Sequence, residues 1–432
     1  MRELLMGVSK RDGKKVILNF NYTTNANGIL FGQSGTGKTH LLRAIARAFS
    51  IDAPEQLTSI IFDVHGDIFP EAHFVSSVEI YRRSKMGLQP FEINPCVRYG
   101  GVFNSIENFL NAINTSSTKL GPRQTATLGR LIEELYQEMG FHAEKPETWT
   151  LRDSENPNKR FPTFSDLLKF VEKKQEEVYL GVNSNTLKHL EAFKSKSKTV
   201  NKMRLRGEDS TGEYSEEAIE LAKEAAMNAY TSFLDSSEHD NLLKNLIQYD
   251  KGEVLASISD RLGNLHKTGI FKDEPIIFDE SKGIHRYDIS LLKEEEQKIF
   301  IQLKLSEIFR KAKEGGFGGK TQNLIFIDEA KNYIDNSEHN MIRKFYNEIR
   351  KFGYGIWLGG QRIEHFDDDI VTNSATKIIL GIDANYAKKF STRLNIPIEY
   401  ILNIQKKKSM LIEINSEEKE SGFREVNFVS SK

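Results

Sequence analysis

The chain has 432 residues, 38% of them hydrophobic and 28% charged, which is enough for a large α/β core with a second or inserted domain. Lys plus Arg number 60 against 61 for Asp plus Glu, a net charge of −1, so a uniformly basic nucleic-acid binder is excluded and any such contact must be a local patch or a ring built by assembly. No apolar run reaches the ~20 residues of a membrane span, the opening MRELLMGVSKRDGKK lacks the apolar core of a secretory signal, and a single cysteine, Cys96, rules out an internal disulfide framework and fits a reducing cytoplasm.

The first predicted elements are a short buried strand over NGILF and a helix over THLLRAIARAF, where Leu41, Leu42, Ile45, Ala46 and Phe49 recur at helical spacing. Between them lies GQSGTGKT, in which Gly32, Gly35, Gly37, Lys38 and Thr39 fit the pattern G-x-x-x-x-G-K-[ST]. Such a loop turns its backbone N–H groups inward around a phosphate chain, and glycines leave room for that approach. The helix N-terminus adds partial positive charge, Lys38 adds a full one, and the Thr39 hydroxyl can bind Mg²⁺. Gln33, Ser34, Thr36 and His40 complete the phosphate-binding stretch.

Next, SIIFD predicts a strand ending at Asp63, followed by VHGDIF with His65, Gly66 and Asp67. The two carboxylates can assist a metal or a water if this strand lies beside the phosphate loop, or they can serve a structural turn; both readings stand. His65 reads as a turn residue, and no Cys/His spacing suggests zinc. The segments PRQTATLGRLIEELYQEM, FSDLLKFVEKKQEEV and SEEAIELAKEAAMNAYTSFL predict amphipathic helices, the last two capped at Thr163 and Ser215. This divides the chain into a first part of a nucleotide-binding core over residues 1–99, a mainly helical insertion over 100–250 and a second part of the core over 251–432.

The return to the core runs through a strand at HRYDIS and a helix over EEQKIFIQLKLSEIFRKA. NLIFIDEA is a strand delivering Asp328 and Glu329 to its end, where the first carboxylate can hold a Mg²⁺ shell and the second can orient or deprotonate a water. An acidic pair after a strand can equally cap a helix, and the phosphate loop in the same chain favours catalysis. YGIWLGGQ ends at Gln361, whose amide can sense a γ-phosphate or align water, and ATKIILGID ends at Asp383. Continuous apolar runs separated by helices predict a mainly parallel sheet covered on both faces, with function at the strand C-termini. SMLIEIN and FREVNFV predict a terminal β-hairpin around EEKESG.

Arg343 and Arg350 stand seven apart in MIRKFYNEIRKFG, on one helical face, and Arg362 follows Gln361. Any of these can stabilise charge developing on a γ-phosphate, or be an ordinary surface arginine. Basic runs occur at KSKSKTVNKMRLR (194–206) and RKAKEGGFGGK. Neither has the interleaved aromatics of a base-stacking platform, and in a ring one such loop per subunit would encircle DNA with phosphate contacts.

Taken together, GQSGTGKT, IIFDVHGD, LGPRQTATLGRLIEELY, HRYDIS, LIFIDEAKNYI and RKFGYGIWLGGQR resemble the HerA branch of the HerA–FtsK ring ATPases, over about Asn27 to Asn385. The resemblance implies a RecA-like P-loop NTPase core and a homo-oligomer, typically a hexamer, that hydrolyses ATP with Mg²⁺ to translocate double-stranded DNA. It further implies a nuclease or other effector partner in end processing or antiviral defence. By matching position it assigns Lys38 and Thr39 to phosphate and Mg²⁺, Asp328 and Glu329 to Mg²⁺ and water, Gln361 to sensing the γ-phosphate, and Arg350 to the active-site arginine. Asp63 and Asp67 fall where the family often has an Asp and a Glu near the nucleotide. The family usually begins with a small β-barrel, whereas only 31 residues precede this loop here. Two other expectations are a motor for conjugative transfer or type IV secretion, and a scaffold whose assembly is gated by ATP.

Overall fold

The computed structural model describes residues 3–115, 119–152, 156–180, 184–208, 216–235, 252–335, 337, 340–416 and 422–428. They divide into two compact units. Met1–Lys119, Gly140–Phe164 and Leu265–Lys432 form the first, Leu120–Met139 and Ser165–Asn264 the second.

The first unit is built on a large sheet. In chain order its strands are β1 (Glu3–Ser9), β2 (Lys15–Asn19), β3 (Gly28–Phe31), β4 (Thr58–Asp63), β5 (Val75–Glu79), a short β6 (Met86–Gly87) and β7 (Glu274–Pro275) that pair apart from it, β8 (Ile284–Asp288), β9 (Asn323–Ile327), β10 (Tyr354–Gly360), β11 (Thr376–Ile379), β12 (Ser409–Ile414) and β13 (Arg424–Asn427). The order across the sheet is β2-β1-β13-β12-β11-β3-β10-β9-β4-β8-β5. From β11 to β5 every neighbouring pair is parallel. The central strands are buried on both faces: all four residues of β3 and of β11 are buried, as a parallel sheet sandwiched by helices requires.

The other edge is antiparallel. β12 and β13 form the expected hairpin, their joining residues 417–421 lying outside the described ones. The N-terminal hairpin β1–β2 was not foreseen from the sequence, and it docks on β13 through Val8 opposite Asn427. Its signal was alternation: Met6, Val16 and Leu18 are buried while Leu5 and Ile17 face outward, the period-two pattern of a sheet with one solvated face.

Among its described residues the second unit is helical, with helices Pro122–Glu138, Ser184–Glu208 and Glu216–Asp235 and parts of Phe164–Leu180 and Gly252–Thr268. Helices Ser184–Glu208 and Glu216–Asp235 pack on one another, with Phe193 and Tyr230 ring centroids 5.2 Å apart. The basic run 194–206 therefore lies within a helix rather than a loop. Helix Phe164–Leu180 starts directly after Thr163, and Ser215 lies outside the described residues.

One buried ionic cluster fixes the β4–β8–β5 side of the sheet. Arg286, 2% exposed on β8, donates from Nε to Asp63 Oδ2 at 2.8 Å, from one terminal nitrogen to Ser77 Oγ at 2.9 Å, and from the other to Asp288 Oδ2 at 2.8 Å. Asp63 also accepts from the backbone N–H groups of His65, Gly66 and Ile68. The guanidinium thus ties three strands and the turn after β4 together. Removing one partner of such a pair leaves a buried charge uncompensated. Asp63→Asn is accordingly expected to lower stability by about 3 kcal/mol, read by urea unfolding of tryptophan fluorescence, since both tryptophans, Trp149 and Trp357, are buried in this unit. A loss under about 1 kcal/mol would show that the cluster is dispensable.

Candidate active site

Parallel register decides which side chains meet. Gly360 lies opposite Phe31 and Leu358 opposite Ile327, so β3, β10 and β9 end at one edge of the sheet. The residues that follow them there are Gly32, Gln361 and Asp328 respectively. The loop after β3 is pinned by Gly32 N–H to the Gly360 carbonyl and Gln33 N–H to the Gly381 carbonyl, both at 3.0 Å. Gly35 and Gly37 adopt φ of +76° and +102°, which only glycine takes without strain. Gly37 caps the helix Lys38–Arg47, whose first N–H groups face the loop and favour an anion.

Five side chains converge at the loop. Lys38, 7% exposed, donates from Nζ to Glu329 Oε1 at 3.3 Å, and Gln361 Nε2 donates to the same oxygen at 2.9 Å. Thr39 Oγ1 donates to Asp328 Oδ2 at 2.9 Å, while Asp328 Oδ1 accepts from the Glu329 N–H. Glu329 itself sits at φ +48°, a left-handed conformation that costs a non-glycine residue about 1–3 kcal/mol. Its second oxygen, Oε2, is buried without a hydrogen-bond partner among the described residues. Burial works to raise the Glu329 carboxyl, but the Gln361 hydrogen bond and the Lys38 charge outweigh it and hold the group below its ordinary value. The carboxylate is therefore charged at neutral pH, one oxygen accepting two hydrogen bonds and the other aimed at nothing the described residues supply.

These groups line a cavity of about 1180 Å³, at the upper end of small-molecule sites. Every residue from Gln33 to His40 borders it, together with His65, Asp67, Asp328, Glu329 and Gln361. Asp67 is ion-paired with Arg43 at 3.6 Å. Asp63 does not border it; its carboxylate belongs to the Arg286 cluster. Arg343 pairs with Asp367 at 2.5 Å, Arg362 lies 4.4 Å over the Tyr386 ring, and Arg350 is exposed just before β10, at the opposite strand end from Gln361. None of these three arginines borders the cavity. The sequence reading missed Leu4, Leu5 and Met6 of β1, Lys407 and Phe428, which do. They come from the two chain ends, and only the unforeseen docking of β1 on β13 brings them here.

No group of three or more His, Cys, Asp or Glu side chains that could hold a metal occurs among the described residues. One carboxylate, Asp328, beside one hydroxyl, Thr39, is too small a donor set for a cation needing an all-protein cage. It suits a hard cation that keeps waters and takes phosphate oxygens, which is the habit of Mg²⁺. The unpartnered Glu329 oxygen lies where a water could be received.

Comparison with known proteins accords with this geometry. The family described as "Helicase HerA, central domain" (DUF87) matches residues 6–215, a span that holds the phosphate loop and stops short of Asp328. No curated protein matches. VirB4 of Thermoanaerobacter pseudethanolicus superposes over 99% of this chain and 96% of its own with a TM-score of 0.61 at 14% identity. The bacterial conjugative coupling protein TrwB in its sulphate complex covers 100% and 95% with a TM-score of 0.55 at 12% identity. TrwB in complex with ADP and Mg²⁺ covers 94% and 86% with a TM-score of 0.54 at 13%. At these identities the likeness is one of fold, a RecA-like P-loop core. With the converging phosphate-loop and strand-end residues, it makes the chain similar to HerA-like P-loop ATPases, the family match itself covering just under half of the chain.

Proposed function

We propose that the chain hydrolyses ATP with Mg²⁺ and that, as a ring of identical subunits, a hexamer, it uses this to translocate double-stranded DNA in the cytoplasm. A nuclease or other effector in DNA end processing or antiviral defence is its partner in this reading. The observation that carries the ATPase part is the meeting of Lys38, Thr39, Asp328, Glu329 and Gln361 at one sheet edge around a single cavity. The solved TrwB complex with ADP and Mg²⁺ on the same fold supports the cofactor pair.

The residues divide the work as follows. The N–H groups of Gly35, Gly37, Lys38 and Thr39 and the Lys38 ammonium bind the phosphates. Thr39 and Asp328 would hold Mg²⁺, which would offset phosphate charge. A phosphate arriving at Lys38 competes with Glu329 for the ammonium, freeing the carboxylate to accept a proton from water at an oxygen. Gln361, released from Glu329 in the same event, aligns that water or reads the γ-phosphate. Asp67 stands at the cavity rim for an indirect, water-bridged part. Arg350 and Arg343, which do not reach their own cavity, would act on a neighbour's nucleotide, and that is the reason for a ring.

A motor for conjugative transfer is the second reading. It is favoured by near-complete superposition on VirB4 and on the coupling protein TrwB. No helix among the described residues is long and apolar enough to cross a membrane.

Steady-state ATP hydrolysis with Mg²⁺, with and without linear duplex DNA across a salt series, tests the proposal. Salt-sensitive stimulation is expected; Lys38-dependent turnover indifferent to DNA would favour the conjugative motor, acting on a protein substrate. Lys38→Ala should abolish turnover. Glu329→Gln should retain nucleotide binding and lose about 10²- to 10⁴-fold in rate, and equal loss of binding would instead give Glu329 a folding role. Gly359 adjoins Asp328 so closely that any Cβ would collide with that carboxylate. Gly359→Ala is thus expected to displace Asp328 from Thr39 and raise the Mg²⁺ concentration needed for half-maximal turnover; an unchanged Mg²⁺ titration would count against Asp328 as the Mg²⁺ residue.

A further inference from the structure

The sheet edge opposite the cavity carries a feature that the ATPase chemistry leaves unused. Helix Glu294–Glu314 leads through Gly315–Gln322 into β9, and the turn Ile349–Phe352 leads into β10. The two approaches are tied together by Gly318 N–H to the Lys351 carbonyl at 3.0 Å and Gln322 N–H to the Gly353 carbonyl at 2.7 Å. On them stands a column of three rings. Phe317 lies parallel to Phe352 with centroids 5.6 Å apart, and Phe352 meets Phe309 edge-on at 6.1 Å. Phe317, at the outer end, is 84% exposed.

Two ammonium groups share the inner ring. Lys313 Nζ lies 4.4 Å and Lys344 Nζ 5.4 Å from the Phe309 centroid. Among the described residues neither takes part in an ion pair, whereas the adjacent Arg310 and Lys311 are paired with Glu92, Glu314 and Glu307. Burial, and then the charge of Lys344, depress the Lys313 ammonium below its ordinary value, outweighing the opposing charge of Glu348. Like charges held against one ring repel each other, and the described residues supply no anion within ion-pair distance to relieve them. An external polyanion would. A free phosphate would leave the exposed ring unused, while a nucleic-acid backbone offers both phosphates and sugar edges.

We propose that Lys313, Lys344 and Phe317 form a contact surface for the backbone of duplex DNA, the lysines on phosphates and the Phe317 ring against sugars at a groove edge. This rests on the DNA-translocating reading above and adds the place where the DNA touches. None of the three residues borders the cavity of its own subunit, and the substitutions below leave Arg343 and Arg350 in place, so basal turnover serves as the control.

The test is fluorescence anisotropy of a short labelled duplex titrated with the full chain at several salt concentrations, alongside basal ATP turnover without DNA. Removing one lysine–phosphate interaction reduces the slope of log K against log salt by about 0.9. Lys313→Gln/Lys344→Gln should therefore weaken binding about tenfold at low salt and flatten the slope by about 2. Phe317→Ala should weaken binding about fivefold at every salt and leave the slope alone, because an apolar contact releases no counterions. Basal turnover should equal that of the unaltered chain in both variants. If the unaltered chain binds duplex and the variants match it in affinity and slope, this surface is wrong and the DNA reading stands. If the unaltered chain hydrolyses ATP in a Lys38-dependent way and binds no duplex, both fall.

Discussion

Parallel pairing is the constraint on which the site depends. Strands that run the same way end on the same side, so β3, β10 and β9 deliver the phosphate loop, Gln361 and the Asp328–Glu329 pair to one edge. Reversing any one of them would send its terminal residue to the far edge, about 23 Å away along a strand of seven residues. Within that edge the contact that organises the rest is Glu329 Oε1, which accepts from both Lys38 and Gln361. An ammonium and an amide that follow two different strands are thereby held on one carboxylate oxygen at the end of a third. Any ligand that takes Lys38 acts on the other two.

Two aspartates at neighbouring strand ends show how environment separates chemistry from architecture. Asp63 and Asp328 each end an apolar strand and each accept a backbone N–H just beyond it. Asp63 is also saturated by Arg286 and further backbone donors, so it has nothing left for a ligand. Asp328 has only Thr39 and one backbone donor, on the border of the cavity. The difference lies in β8, whose Arg286 stands beside β4 and not beside β9.

The same comparison explains what could and could not be seen in the sequence. Strand identity was legible because GILF, SIIFD, NLIFI and YGIWLGG are apolar throughout, and a parallel sheet demands that. The loop glycines and the two-carboxylate strand end were legible because their chemistry is local. Partnership was not. Nothing near SIIFD announces that an arginine 223 residues later saturates Asp63. Docking of β1 on β13 is likewise non-local, and with it the cavity wall made by Leu4, Met6 and Phe428. The run RKAKEGGFGGK carries a single aromatic, Phe317, and in the fold Phe352 arrives from another segment to stack on it.

The strands joining the two edges are buried on both faces and packed as an interior is, so they transmit force as stiff rods and hold no intermediate shape. The part that can differ between nucleotide states is what lies beyond the strand ends. After Gln361 the chain runs to Asp367, which is paired with Arg343 on helix Met341–Glu348. The next residue of that helix is Lys344, over Phe309. A continuous series of contacts therefore runs from the amide that touches Glu329, through one ion pair, to a lysine at the opposite edge. Arg343 faces the turn that follows Gln361, and its neighbour faces the basic surface. A helix cannot rotate to follow Asp367 without also moving Lys344, so the ion pair beyond Gln361 and the basic surface are joined through one short helix.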